Sequence, residues 1–495
     1  MMMTQEAAIL KAQAQFDEMV DVIRQASGTN DSLDQVERTL WNRLLAVGRV
    51  MLQGAVAGYG TGDLGPTVER GGRTLRRLES LHERRYVSVF GELTIPRTVY
   101  GTREAQRHEV VPLDALLNLP EGDFSYLLQE WDQAFCVQNS YAKSCQTVER
   151  VLGIGQSVRS LEQMNVSMAE DAESFRAGQP APASDEEGSI LVLTADGKGV
   201  PMRRAYPQDR PTPGVRRKKG EKANKKRMAC VGSVYTIDRF VRTADEVVNE
   251  VMRDRRRADR PIPRHKQLRA ELTRTIAGEE VNGKDRIFAW FADQAACRNA
   301  AGDKPVVCVM DGERALWTML ASYLSNVVCI LDLFHVMERL WQAAHCFHVE
   351  GSPEAQAFVT DRLRRILEGG VGYVIGGFKQ MATKQGLRGS KARQLSDVLG
   401  YLKNNRCFMR YDEYLAAGYP IASGVAEGAC RHLVKDRMEL TGMRWRIEGA
   451  QAMLDLRAVY LNDDWDAFQK HRIKQARRSL YPYLRMIRRE WRNAA

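Results

Sequence analysis

Three short apolar runs, each leading to an aspartate, constrain the fold of this 495-residue chain most strongly. The first run leads to Asp196, the second to Asp311 and the third to Asp332. Unbroken apolar runs of this length are typical of parallel strands that are buried on both faces. Sites in open α/β sheets form at the carboxyl ends of such strands. We therefore predict three buried strands that end at these aspartates and bring them to one site.

The residue types at these strand ends indicate a metal site. A carboxylate at the end of a buried strand is costly unless something offsets its charge. Asp196 and Asp311 are each followed by a glycine, and Asp332 is followed three residues later by His335. Carboxylate oxygens are the ligands that Mg²⁺ and Mn²⁺ prefer. We therefore expect Mg²⁺, or Mn²⁺, as the cofactor.

A third ligand is predicted in the segment around Glu427. Ser423 is a candidate helix cap, which places Glu427 near the first turn of a helix. Arg431 and Lys435 follow at helical spacing on the same face. Other glutamates lie nearby in the sequence, at Glu413, Glu439 and Glu448. Glu427 is preferred for its Ser-Gly-x-x-Glu context and its basic helix face.

Asp196, Asp311 and Glu427 together form a candidate catalytic set that binds one or two divalent cations. Such cations activate an attacking water or sugar hydroxyl and stabilise the leaving oxygen, which suits in-line attack at a phosphodiester. We expect Asp332 and His335 to act as accessory residues that orient a ligand or a water from an outer shell. For any single acid, the alternative is a helix cap or a surface ion pair.

The charge balance favours a polyanionic partner. The formal net charge is +11, and the isoelectric point is about 9.2. Much of the excess lies in a predicted loop after Asp196, where cations would hold a DNA backbone beside the acids. The alternative is a solvated charge run. The predicted DNA-binding residues are Arg203, Arg204, Arg216, Arg217, Lys218, Lys219, Lys225, Lys226, Arg227, Arg431 and Lys435.

The cysteines and the first residues of the sequence indicate the cellular compartment. The nine cysteines include no C-x-x-C pair, which favours a reducing compartment over a disulfide framework or a zinc ribbon. The first residues lack a basic start followed by an apolar stretch, and no apolar run approaches the length of a membrane span. We therefore expect a cytoplasmic protein with no membrane partner.

The first half of the chain is predicted to hold small modules before a linker. Residues 1–60 have helical periodicity, which suits either packing or dimerisation. Residues 61–112 contain a predicted β-hairpin, with strands over 85–90 and 93–100. Helices are predicted over 113–175, where a glycine turn before the last one resembles a helix-turn-helix that binds DNA. The alternative is an ordinary helical bundle, which has the same pattern. Residues 176–188 have the composition of a linker.

The second half is predicted to be a catalytic domain over residues 189–448. Another strand is expected from Met228 to Ile237, followed by a helix and loop over 253–269 and a helix over 270–300. The pattern between about 336 and 419 is helical throughout, which indicates an all-helical insertion. Basic helices are expected over 449–495.

The order of these motifs resembles a known family of enzymes. The motifs are Thr194-Ala-Asp-Gly-Lys-Gly, Asp311-Gly, Asp332-Leu-Phe-His-Val, and Ser423-Gly-x-x-Glu427 followed by Lys435, Arg437 and Gly442-Met-Arg-Trp445. Each motif is short, but their order is similar to that of bacterial insertion-sequence DDE transposases of the ISKra type, which are related to the ISL and mutator-like groups. The resemblance extends from the hairpin near residue 85 to about residue 450.

The resemblance implies a fold and a set of roles. The expected fold is an α/β ribonuclease-H-like catalytic core with an all-helical insertion, preceded by helical and small β-hairpin N-terminal modules. The implied metal-binding triad is Asp196, Asp311 and Glu427, and Asp332 with His335 matches an Asp/Cys-x-x-His element of the family. Relatives often carry cysteine pairs that flank the hairpin region, and this chain has none there.

Three functions are therefore considered. The first is a DNA transposase that cleaves the ends of an insertion sequence and transfers the strands to a target, with double-stranded DNA as partner. Because two ends must be cut, this function favours a homo-oligomer. The second is a catalytically silent DNA-binding regulator derived from a transposase, against which the presence of all three acids counts. The third is a ribonuclease-H-like nuclease without strand transfer.

Overall fold

A computed structural model describes residues 3–29, 31–102, 109–203, 226–253, 259–440 and 442–494. The chain forms two compact units. One comprises Met1–Ala177 together with Asp464–Ala495, and the other comprises Gly178–Asp463. We refer to them as the terminal unit and the central unit.

The terminal unit combines helices with short antiparallel strands. Its elements before the central unit are α1 (Gln5–Thr29), α2 (Leu33–Ala57), β1 (Thr67–Arg70), β2 (Arg73–Arg77), β3 (His82–Ser88), β4 (Gly91–Arg97), β5 (Tyr100–Gly101), α3 (Pro112–Leu117), α4 (Tyr126–Cys136), α5 (Tyr141–Leu152), α6 (Val158–Ala169) and α7 (Ala172–Ala177). Strands β1, β2 and β5 form one sheet, and β3 pairs with β4. The predicted hairpin is confirmed, but its two-residue turn lies at Val89 and Phe90, and Gly91 (φ 112°) begins β4.

The predicted helices of the terminal unit are also confirmed. Serine side chains accept hydrogen bonds from backbone N–H groups at the first turns of α4, α5 and α6, which fixes where each helix begins. Helix α5 ends at Gly153, which adopts the left-handed conformation (φ 69°). Binding of DNA by these helices stays a prediction.

The last two helices return to the terminal unit. They are α19 (Trp465–Leu480) and α20 (Leu484–Ala494). Tyr481 and Ile487 are buried in one apolar cluster with Leu75 and Tyr100 of the small sheet, and the Tyr481 hydroxyl donates to the Leu119 carbonyl over 2.7 Å. This grouping differs from the predicted C-terminal segment 449–495, because residues up to Asp463 belong to the central unit.

The central unit is built on one mixed sheet. Its strands are β6 (Ile190–Pro201), β7 (Lys226–Ile237), β8 (Arg264–Leu272), β9 (Arg274–Ile276), β10 (Glu279–Val281), β11 (Val306–Met310) and β12 (Val327–Leu331). Five of them form the sheet in the order β12-β11-β6-β7-β8. The pairs β6–β7 and β7–β8 are antiparallel, whereas β11 is parallel to both β6 and β12.

Helices cover both faces of this sheet. They are α8 (Ala244–Arg253), α9 (Gly283–Arg298), α10 (Arg314–Tyr323), α11 (Leu333–Phe347), α12 (Pro353–Leu367), α13 (Val371–Lys384), α14 (Gly389–Asn404), α15 (Tyr411–Ala416), α16 (Gly424–Ala429), α17 (Asp436–Met438) and α18 (Ile447–Leu461). Val192 and Val309 pack in one core with α11 to α15, and Leu193 packs in another with α9 and α10. Burial on both faces explains why the apolar runs are unbroken.

Most predicted elements of the central unit are confirmed. Strand β6 contains Asp196, strands β11 and β12 directly precede Asp311 and Asp332, and β7 contains the Met228–Ile237 run. All four strands form as expected. Residues 336–419, all of which the structure describes, contain helices and no strand, as predicted for the insertion. One detail of the first strand differs: β6 continues past Asp196 to Pro201, because β7 pairs with it along its whole length.

The prediction for residues 253–300 is wrong in part. The predicted helix over 270–300 begins only at Gly283, and β8, β9 and β10 occupy residues 264–281. Leu268, Ala270 and Leu272 alternate with two buried charged residues, Arg269 and Glu271. These two form an ion pair with a nitrogen–oxygen distance of 2.7 Å, so their charges are neutralised inside the protein. The residue types alone do not indicate this pairing.

Among the helices of the described residues, none combines the length and the apolar composition that crossing a lipid bilayer requires.

A buried carboxyl group lies among the helices α4 to α6. Asp132 is fully buried, and its Oδ1 accepts a hydrogen bond from Gln156 Nε2 over 2.9 Å. Its Oδ2 has no hydrogen-bond partner among the described residues. Burial raises the pKa of Asp132 to about 7, an effect that the hydrogen bond from Gln156 opposes.

This burial predicts an unusual dependence of stability on pH. The folded-state pKa of Asp132 lies above the unfolded value. Its contribution to the free energy of unfolding is therefore full below about pH 4 and is lost as the pH rises to about 7, at up to about 1.4 kcal/mol per pH unit. We expect Asp132→Asn to remove this slope and to make the protein more stable at about pH 8. Urea unfolding across this pH range measures it. The exposed change Glu149→Gln is the control, and equal slopes in all three proteins would contradict the prediction.

Candidate active site

Three aspartates lie side by side across neighbouring strands. Ala195 of β6 pairs with Met310 of β11, and Met310 pairs with Leu331 of β12. The residue that follows each of these three in the chain is an aspartate: Asp196, Asp311 and Asp332. The parallel register therefore aligns the three acids in one row, as the sequence predicts, although β6 itself continues beyond this row.

Asp196 lies half-buried in the middle of β6. Its Oδ1 accepts from the N–H of Gly197 over 2.6 Å. Its Oδ2 lies 3.2 Å from the sulfur of Cys430, whose thiol donates to it. Burial, and then the charge of Asp196, raise the pKa of the Cys430 thiol above its ordinary value. The thiol therefore stays protonated and acts as a hydrogen-bond donor to the carboxylate.

Asp311 ends β11 and begins a tight turn. Its Oδ1 accepts from the Glu313 N–H over 2.8 Å. Gly312 adopts φ 88°, and a Cβ at this position would lie 2.8 Å from a methyl group of Leu331. The turn therefore requires glycine here. Gly197 has no positive φ, so the two Asp-Gly pairs, which look alike in sequence, have different backbone roles.

Tyrosines of the helical insertion hold the ends of two strands. The hydroxyl of Tyr401 donates to the Asp311 carbonyl over 2.7 Å. The hydroxyls of Tyr411 and Tyr414 donate to carbonyls of β12, over 2.7 Å and 3.1 Å. The insertion thus supplies hydrogen-bond donors to the Asp311 carbonyl and to carbonyls of the edge strand β12, and it supports the backbone of the acidic row.

Asp332 is fully buried and serves as a hydrogen-bond acceptor for its surroundings. It caps helix α11 by accepting from the Phe334 N–H over 3.1 Å. It also accepts from the hydroxyl of Ser423 over 2.5 Å and from Nδ1 of His335 over 3.0 Å. Asp332 and His335 are therefore in contact, as expected for the accessory pair, and the hydroxyl of Ser423, the predicted helix cap, donates to Asp332.

Glu427 lies in the first turn of α16, as predicted, and its side chain is exposed. The helix changes to a π-helix over Cys430–Lys435, which widens the turn and brings Cys430 to Asp196. The predicted α-helical spacing from Glu427 to Arg431 and Lys435 is therefore not maintained. Single π-helical turns of this kind are frequent at functional sites.

The acids influence one another electrostatically. Burial raises the pKa of Asp311, the charge of Asp196 raises it further, and His335 lowers it. Burial raises the pKa of Glu427, to which the charges of Asp332 and Asp196 add, and His335 again opposes the shift. The hydrogen bond to Asp332 raises the pKa of His335 to about 9. His335 is therefore a cation at neutral pH and partly offsets the acids around it.

The site fits a divalent cation only in part. Asp196 and Asp311 offer carboxylate oxygens on adjacent strands, and a cation between them would relieve their repulsion. However, the described residues contain no group of three or more His, Cys, Asp and Glu side chains that could hold a metal ion. The structure thus aligns the two aspartates, but it does not assemble them with Glu427 into a preformed set of three ligands.

Five of the predicted DNA-binding residues lie within the described ranges. Arg203, Lys226 and Arg227 are exposed beyond Asp196, where β6 and β7 pair. Lys226 forms an ion pair with Glu439, and Arg431 lies 3.7 Å from Asp436. Lys435 is exposed at the end of the π-helix. The others, Arg204, Arg216, Arg217, Lys218, Lys219 and Lys225, lie outside the described residues.

Sequence reasoning missed two residues of the site, Cys430 and Tyr401. Cys430 is three residues after Glu427, and only the π-helix explains its contact with Asp196. Tyr401 lies 90 residues after the carbonyl that it binds. Neither contact has a local sequence signal.

Models of known protein families gave no match to this chain, and a comparison with curated proteins gave none either.

The pairing of His335 with Asp332 predicts a change that NMR can measure. In Asp332→Asn, the amide keeps the helix cap but removes the negative charge, so the pKa of His335 should fall from about 9 by about two units or more. Titration of the histidine ring protons measures this shift, with His335→Gln to assign the signal. The control is Glu338→Gln. It removes a charge that raises the His335 pKa less than Asp332 does, so it should shift this pKa much less. A His335 pKa that does not change in Asp332→Asn would contradict the pairing.

The repulsion within the acidic row predicts a stabilising substitution. Asp311→Asn keeps an oxygen that accepts from Glu313 but removes a partly buried charge. We expect a gain in unfolding free energy on the order of 1 kcal/mol at neutral pH, limited by screening from water. Because the raised pKa makes the ionised form the costly one, the gain should shrink at acidic pH. Thermal unfolding measures this gain, and substitution of an exposed acid, Asp303→Asn, is the control. A loss of stability in Asp311→Asn would contradict the repulsion.

Proposed function

We propose that this protein is a DNA transposase that cleaves and transfers DNA strands at the ends of an insertion sequence in a metal-dependent reaction. The observation that carries the proposal is the alignment of Asp196 and Asp311 on adjacent parallel strands, with Glu427 close enough to respond to the charge of Asp196. A ribonuclease-H-like assignment of the central unit is supported by its mixed sheet, with helices on both faces and a helical insertion before the third acid.

In this proposal, Asp196 and Asp311 would hold Mg²⁺ or Mn²⁺, and Glu427 would complete the ligand set once its exposed side chain turns toward them. When bound, such a cation lowers the pKa of an attacking water or hydroxyl and stabilises the leaving oxygen. His335, held by Asp332, keeps a positive charge beside the acids. Cys430 donates to one oxygen of Asp196 and helps to orient this carboxylate.

The DNA backbone would bind along the basic residues beside this row. Arg203 and Arg227 are exposed at the continuation of β6 and β7, near the strand that carries Asp196. Cations placed there would contact phosphates on either side of the cleavage point. We propose that the protein acts in the bacterial cytoplasm, on nucleoid DNA, as a homo-oligomer that holds two DNA ends.

Two alternatives remain distinct from this proposal. A catalytically silent DNA-binding regulator would keep the basic surface without using the acids. A ribonuclease-H-like nuclease would cleave but not join strands. The ionised forms of Asp311 and Glu427 cost stability, since burial and neighbouring acids raise the pKa of both. This favours an enzyme over the regulator, since a protein that only binds DNA has no need for repelling carboxylates.

The proposal predicts a metal-dependent cleavage activity. A DNA fragment that carries the sequences flanking the gene should be cut by the wild type with Mg²⁺ or Mn²⁺, and a second DNA should receive the cut strand. Asp196→Asn, Asp311→Asn and Glu427→Gln should each lower the cleavage rate by about 10³-fold or more. Their binding of the same fragment without metal should change by less than about threefold.

Glu413→Gln is the matched control, because Glu413 is an exposed glutamate of the preceding helix that pairs with Arg410. It should cleave like the wild type. Full activity of Glu427→Gln would show that Glu427 is not the third metal ligand. Binding without cleavage by the wild type, with either metal, would favour the regulator, and cleavage without joining would favour the nuclease.

A further inference from the structure

An apolar groove runs between the first two helices of the terminal unit. Helices α1 and α2 pack side by side, with Ala8, Ala12 and Val50 as their buried contacts. They approach closely at Gly54, where a Cβ would lie 2.8 Å from that of Ala8. Because these residues are small, the two helices alone leave a cavity of about 500 Å³ open on one side.

The walls of this groove are large apolar side chains that face water. Ile9 and Phe16 of α1 line it, with Met51 of α2 opposite. Their exposed fractions are 44%, 56% and 61%. Of the described side chains that line the groove, Asp17 alone carries a charge. An exposed apolar surface of this kind is typical of a site that binds a partner.

The exposed residues follow the spacing of a coiled-coil seam. Ile9, Phe16 and Ile23 recur every seven residues along α1, and all three are exposed. Leu44 and Met51 of α2 are also seven residues apart and exposed. Apolar residues that recur every seven residues lie on one face of a helix and form a stripe that can pack against another helix. A helical partner therefore fits this face.

We infer that this face binds the same face of a second copy of the chain, which forms a homodimer through a bundle of four helices. The surface is self-complementary, since it offers both a protruding aromatic ring, Phe16, and a floor of small residues, Ala8, Ala12 and Gly54, that can receive one. Self-complementarity is what a two-fold symmetric interface requires. Two antiparallel helix pairs joined in this way give the usual helix-bundle core.

The area available is sufficient for a stable dimer. The five exposed heptad side chains present roughly 100 Å² each, so two copies would bury on the order of 1,000 Å² of apolar surface before their polar neighbours are counted. Specific interfaces begin at about this size. This inference rests on the terminal unit and does not depend on the proposed catalysis.

The mass of the full-length protein in solution tests the inference. Light scattering and sedimentation equilibrium should give twice the chain mass of 56.0 kDa for the wild type. Phe16→Asp and Met51→Asp each place two charges in the symmetric interface and should raise the dimer dissociation constant by about 100-fold or more. Both positions are exposed, so the circular dichroism spectrum should stay that of the wild type.

Leu10→Asp is the matched control. Leu10 is an apolar residue of the same helix with 59% exposure, and it does not line the groove. It should change the dissociation constant by less than about threefold. A monomeric wild type at about 100 μM would overturn the inference, as would a dimer that Phe16→Asp leaves intact. Asp196→Asn should dimerise like the wild type, which separates this test from that of the catalytic proposal.

Discussion

The structure depends on holding like charges together where parallel strands end. Strand β11 lies between β6 and β12, and its register with both places Asp196, Asp311 and Asp332 in one row. Burial and mutual repulsion raise the pKa of Asp311. The protein offsets part of this cost with His335, whose own pKa is raised by its hydrogen bond to Asp332. Groups whose pKa values are shifted in this way cluster at functional sites.

The surrounding elements keep this row in place. Tyrosine hydroxyls from the helical insertion bind the carbonyls of Asp311 and Leu331. The hydroxyl of Ser423, which comes just before the helix that carries Glu427, binds Asp332. The insertion and the third acid are therefore connected to the same strand ends. The helical insertion thus has a structural role that follows from its contacts: it supports the backbone on which the acids depend.

Much of the central sheet was predictable, and the reasons are physical. Strands buried on both faces need unbroken apolar runs, so β6, β7, β11 and β12 and the aligned aspartates follow from the sequence. Strand β8 does not, because its Arg269–Glu271 ion pair hides two charges in a buried strand. The contact of Cys430 with Asp196 depends on a π-helix, and that of Ser423 with Asp332 joins residues 91 positions apart. Neither local spacing nor composition encodes such contacts.

The central claim is that the acidic row binds a divalent cation, and locating Mn²⁺ tests it most directly. Crystals of the protein grown with Mn²⁺ would show the ion through its anomalous scattering. The account predicts a peak within about 2.5 Å of carboxylate oxygens of both Asp196 and Asp311. It also predicts that the peak disappears in Asp311→Asn. A peak elsewhere in the protein, or none at this site under saturating Mn²⁺, would contradict it.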